Sequence, residues 1–194
     1  MDRCPSPVRV LVVLGLLWGL APAGAHAQSL DFDEHTVEAE TATWMGFALD
    51  DLNQDGLQDV VVQNGGNGGP LLWYEAGESG TTWTRHLIAE KAPNGPRFTT
   101  GDLEVGDFNG DGHLDVLAGE NGDSHTAQIS DDGEKQVRIF LNEGGGEGWT
   151  PVTFSNQGLY NGRVADIDGD GTPDVAGPNG HEGDPYTIYL TQLE

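Results

Sequence analysis

Short apolar segments recur along the chain and none sustains a helical period over a useful length after the N-terminus. They fall into four recurring types. The first is a brief alternating segment: Gly46–Leu49, Leu103–Val105 and Arg163–Ala165. The second is a near-continuous apolar run that opens with an aspartate: Asp59–Val62, Asp115–Ala118 and Asp174–Ala176. The third is Leu71–Tyr74, Val137–Leu141 and Thr187–Leu190, and the fourth begins with tryptophan, at Trp83–Ile88 and Trp149–Phe154. Asn64-Gly65 and Asn67-Gly68 supply tight-turn chemistry between the second and third types. Phe32–Val37 matches the fourth type, with His35 in the place of His86. The prediction is an all-β chain with strand order D-ABCD-ABCD-ABC.

Between the first and second segments of every unit lies one acidic loop. It reads Asp51-Leu-Asn53-Gln-Asp55-Gly56-Leu57-Gln-Asp59, then Asp107-Phe-Asn109-Gly-Asp111-Gly112-His113-Leu-Asp115, then Asp166-Ile-Asp168-Gly-Asp170-Gly171-Thr172-Pro-Asp174. Oxygen-bearing side chains at positions 1, 3, 5 and 9, with glycine at position 6, suit a short loop folded around a hard cation. The oxygen donors favour calcium over zinc or copper, and its tolerant geometry favours it over magnesium. An EF-hand shares the first six positions but needs a glutamate at position 12, where this chain has Val62, Ala118 and Gly177. The starts at residues 51, 107 and 166 make the loop part of a repeat. Four antiparallel strands per repeat describe a propeller blade. About three blades' worth of strands predicts a β-propeller-like array that is incomplete or completed by another chain.

The Asp-x-[Asp/Asn]-x-Asp-Gly-x-x-Asp loop, with Gly46-Phe-Ala48 upstream and Asp-Val-Val downstream, resembles the FG-GAP or VCBS repeats of integrin α-subunit propellers and secreted bacterial proteins. The likeness covers Leu30 to Leu190. It implies calcium in the A–B loops, up to three ions. The implied side-chain ligands are Asp51, Asn53, Asp55 and Asp59; Asp107, Asn109, Asp111 and Asp115; and Asp166, Asp168, Asp170 and Asp174. Leu57, His113 and Thr172 would add backbone carbonyls.

Composition locates the protein. Arg3 and Arg9, the apolar run Val10–Leu20 and Ala25-His26-Ala27 make residues 1–27 a signal peptide cleaved after Ala27, with residues 28–194 as one repeat domain. The expected location is secreted or periplasmic, without membrane insertion after cleavage. Cys4 is the chain's sole cysteine and lies in the leader, so disulfides cannot hold the mature fold. With 32 acidic and 8 basic residues the net charge is −24, which excludes nucleic acid and anionic membrane as partners.

Neither a His-Glu-x-x-His nor a Gly-x-Ser-x-Gly motif occurs, and no cysteine nucleophile survives processing. The expectation is a non-catalytic binding, adhesion or scaffold module for a protein or glycan ligand. The alternative is a fragment or relative of a secreted carbohydrate-active lyase or dehydratase with a propeller scaffold. Trp44, Trp73, Trp83 and Trp149 read as core residues, and His35 and His86 as packing residues. Recognition is expected opposite the cation loops, on Glu120–Gln136 with Lys91–Arg97 alongside. Exposed sheet edges should drive self-association, the Phe32 strand passing to a partner's last blade.

Overall fold

The computed structural model describes residues 30–39, 46–63, 70–90, 103–119, 137–155, 159, 161–178 and 185–193. The expected leader, Trp44, Lys91–Arg97 and Glu120–Gln136 lie outside the described residues. The chain divides into two units, Met1–Glu34 and His35–Glu194. Of the first, Leu30–Glu34 are described as an exposed segment without strand pairing. The second contains every described strand.

Eleven strands form three antiparallel sheets among the described residues. The first blade is β1 (Phe47–Asp50), β2 (Asp59–Gln63), β3 (Leu71–Ala76) and β4 (Trp83–Ala89). The second is β5 (Leu103–Gly106), β6 (Asp115–Gly119), β7 (Val137–Asn142) and β8 (Trp149–Ser155). The third is β9 (Arg163–Ala165), β10 (Asp174–Pro178) and β11 (Tyr186–Tyr189). Each sheet runs in chain order, so every neighbour is a simple antiparallel connection. The all-β, propeller-like array expected from the strand pattern is present, and it is not closed.

One expected strand is missing. Phe32–Val37 forms no ladder, and His35 is exposed rather than packed like His86. A strand satisfies its backbone only when a neighbour offers a matching edge. Among the described residues the third sheet ends at β11, and no described strand lies paired with Phe32–Val37. Farther along, Glu38 comes close enough to Tyr74 for its charge to add to the rise in the phenol's pKa, which burial dominates.

The two apolar cores lie between blades, because strand side chains alternate between faces. Val116 and Ala118 of β6 turn toward the first blade and join Leu52, Val61, Leu71 and Trp73. Leu117, between them, turns the other way and joins Phe108, Val137, Leu159 and Val175. Both complete blades carry a register shift at the same place, between Leu71 and Leu72 and between Val137 and Arg138. The extra residues opposite these bulges are Ile88 and Phe154, and each packs with a core. Phe154 meets Tyr189 of the third blade edge-on, at 4.9 Å between ring centres.

Trp73 fastens the first interface. Its ring stacks on His86 at 4.3 Å. Its indole N–H donates to the Gly146 carbonyl, as does that of Trp149, at 3.2 and 3.0 Å. A side chain on Gly146 would collide with the Trp73 ring, so the close approach requires glycine. His86 also contacts the Glu75 carboxylate at 2.8 Å.

The inner strands β1, β5 and β9 stand side by side. Phe47–Asp50, Leu103–Val105 and Arg163 line a groove of about 430 Å³. Across it, Arg163 pairs with Glu104 at 3.0 Å.

Trp73→Ala should destabilise the protein by about 3–5 kcal/mol in urea denaturation, as expected for emptying a large core position. Leu87→Ala, on a more open face, should cost about 0.5 kcal/mol or less. Equal costs would contradict the placement of the core between blades.

Candidate cation loops

Each blade turns from its first strand into its second through the acidic loop, and antiparallel pairing fixes where the loop starts and stops. Asp50 pairs with Asp59, Gly106 with Asp115 and Ala165 with Asp174. Inside the loop the side chains fold back on the backbone. Asp51 accepts the N–H groups of Asp55 and Gly56 at 2.9 and 2.8 Å. Asp107 accepts those of Asp111 and Gly112 at 3.1 and 2.9 Å. In the third loop Asp166 accepts Gly169 and Gly171 instead, at 2.7 and 3.1 Å. These bonds need a left-handed residue at position 6, and Gly56, Gly112 and Gly171 have φ of 94°, 89° and 96°.

The position-5 carboxylates cap the next turn. Asp55, Asp111 and Asp170 accept the N–H groups of Leu57, His113 and Thr172. The hydroxyl of Thr172 also donates to Asp170. The backbone bond from His113 holds the Asp111 carboxyl below its ordinary pKa. For Asp170 the Thr172 hydroxyl does so first and its N–H second. The three position-7 residues thus enter the observed network as N–H donors.

Position 9 behaves differently. Asp59, Asp115 and Asp174 are each 0% exposed. One oxygen of each accepts the N–H of the second loop residue: Leu52 at 3.0 Å, Phe108 at 3.0 Å and Ile167 at 2.9 Å. The other reaches the end of the third strand or just past it, accepting Ala76 at 2.9 Å, Asn142 at 2.8 Å and, two residues beyond β11, Thr191 at 2.8 Å. One carboxylate therefore ties three parts of a blade together. Burial pushes the Asp115 carboxyl up to about 6, against the lowering effect of its two backbone bonds, with the charges of Asp111 and Asp107 adding to the rise. Asp59 is raised for the same reasons, burial first.

The loops also differ at position 3. Asn53 and Asn109 each accept the N–H at position 5 and donate to the carboxylate there, at 3.3 and 2.9 Å. Asn53 donates in addition to Glu75 at 3.0 Å. In the third loop this position is Asp168, which has no amide hydrogens to offer. Asp166, Asp168 and Asp174 each present a ligand atom, all within 4.8 Å of one another. Among the described residues this is the group of three acidic side chains that converges closely enough to hold a metal ion. Like charges so close repel one another, and a cation between them relieves the repulsion.

Several connections carry no signal in the sequence. Gln54, whose φ of 61° sits where the other loops have glycine, donates through its side chain to the Gly112 carbonyl of the second loop. Asn142 donates to the carbonyls of Leu52 and Leu114 and accepts the N–H groups of Gly144 and Gly146. It is one residue spanning two blades. The separations in sequence between position 9 and its distant donor, 17, 27 and 17 residues, follow the length of the connection after the second strand.

A family model for the FG-GAP-like repeat matches residues 51–118 and, overlapping it, residues 107–177. The chain belongs to the FG-GAP repeat family. Each FG-GAP match begins on the first aspartate of a loop and contains two consecutive loops, so the two matches are offset by one blade repeat. No curated protein matches the chain.

In metal-free protein, Asp115→Ala should be strongly destabilising, since each buried N–H left without an acceptor costs about 1–3 kcal/mol. Asp111→Ala, at an exposed position of the same loop, should change the metal-free denaturation midpoint far less. Similar losses would deny the buried aspartate its separate role. The elevated Asp115 also sets a pH dependence. Between its ordinary value of 3.8 and about 6 the folded state holds a proton that the unfolded chain has released, so this group's contribution to stability falls as pH rises through that window. Melting of metal-free wild type and Asp115→Asn across the window checks the sign: the wild type's advantage should shrink as pH rises, and an advantage that grows contradicts it.

Proposed function

We propose that this FG-GAP repeat protein is an exported, calcium-stabilised binding module without catalytic activity, taking a protein or glycan ligand. The observation that carries the calcium reading is the convergence of Asp166, Asp168 and Asp174 in a loop whose backbone already supports the turn. All-oxygen ligation by a flexible acidic loop is calcium chemistry. The first two loops have an amide in place of one carboxylate, so they present less charge and bind more weakly. No helix among the described residues is long and apolar enough to cross a membrane.

A binding rather than catalytic role is supported by how the side chains are used. Each position-9 aspartate is committed to the backbone, His86 to Trp73 and Glu75, and Asn142 to two blades. The loops and the turns after the third strands share one end of the sheets. Ligand recognition then belongs to the opposite end, on the connections that follow the second and fourth strands.

Calcium that binds only the folded chain adds about 2.7 kcal/mol per site at a hundredfold excess over Kd. Removing it with EDTA should lower the melting temperature substantially, and added calcium should restore it. Asp168→Asn should weaken the tightest site seen by calorimetry while leaving the fold intact. An unchanged melt in EDTA, with protein shown to be metal-free, would overturn the calcium reading.

A further inference from the structure

Among the described residues, the middle blade is covered on both faces, whereas the outer blades each expose apolar side chains on one face. Those open faces carry the same repeat positions that are buried inside the chain. Leu52, Val61, Leu71 and Trp73 of the first blade pack against the second. Their equivalents in the second, Phe108, Leu117, Val137 and Ile139, pack against the third. The strand registers place Ile167, Ala176, Tyr186 and Ile188 at the same positions of the third blade. There Tyr186 is 89% and Ile188 57% exposed, and Ile167 is exposed as well.

The complementary face is open at the other end. Leu103, Val105, Val116 and Phe140 are the side of the second blade that receives the first. Their equivalents in the first blade are Phe47, Leu49, Val60 and Tyr74. Phe47 is 66% and Leu49 53% exposed, while Tyr74, at the outer rim beside Glu38, is already buried.

We propose that a second copy of this chain docks here, the third blade of one copy against the first blade of the other, so that two copies close a ring of six blades. The internal interfaces supply the template: the exposed Ile167, Tyr186 and Ile188 stand where Leu52, Leu71 and Trp73 pack in the first blade, and the exposed Phe47 and Leu49 stand where Leu103 and Val105 pack in the second. A head-to-tail contact that closes satisfies both open faces of both copies, and six blades fall within the usual range of about four to eight. The contact is apolar and each copy carries a net charge of −24, so association strengthens as salt or calcium screens the repulsion.

Sedimentation equilibrium of the full chain at micromolar concentration, in calcium and about 0.15 M salt, tests this. The expected mass is twice that of one chain. Ile188→Asp and Leu49→Asp, both at exposed positions, should each give a folded monomer by circular dichroism. Mixing the two variants one to one should restore part of the dimer, because one of the ring's two contacts is then wild type on both sides. A monomeric wild type would overturn the proposal, whatever else covers these faces. So would open-ended polymers, or a Leu49→Asp variant that dimerises as well as the wild type, which would place the contact on the third blade alone.

Discussion

A carboxylate can be buried only if something replaces the water it loses, and this fold is arranged around three such replacements. Asp59, Asp115 and Asp174 lie out of solvent with both oxygens taken by backbone N–H groups. One donor comes from the start of the loop and the other from the end of the third strand. An unpaired buried charge costs far more than a neutral polar group, so the loop, the second strand and the third strand must arrive together. Thiol-free and rich in glycine, the blades gain from these ties a rigidity that their short strands would not supply.

The same arrangement sets up the cation chemistry. Once position 9 is fixed, positions 1 and 3 are held by bonds to the backbone of the turn. What the loop then does depends on one atom type at position 3. Asparagine supplies its own hydrogens to the neighbouring carboxylate, and the network is largely satisfied. Aspartate cannot, and three carboxylates face one another. The third blade, with three strands among the described residues, thus has the loop in which three carboxylates come closest together.

Much of this was legible in the sequence. Alternating apolar positions gave all eleven described strands to within a residue or two at either end, and β2 grew only by Gln63. The glycine at position 6 announced a sharp turn, and its positive φ in all three loops fits that reading. Other features left no trace. Ala76, Asn142 and Thr191 are unlike one another because the group that matters is the backbone N–H, which every non-proline residue has. An aspartate at position 9 looks the same in sequence whether it ligates an ion or ties strands together. Phe32–Val37 has a strand's pattern, but pattern alone supplies no neighbouring edge, and the segment forms no ladder.

Amide hydrogen exchange read residue by residue, in calcium and after its removal, tests the role of the buried aspartates most directly. The N–H groups of Ala76, Asn142 and Thr191 should stay protected in both states, while those of Asp55, Asp111 and Gly169 should exchange much faster once calcium is gone. If the first three lose protection as readily as the loop amides, the aspartates are cation ligands before they are part of the frame, and the order of dependence described here is reversed.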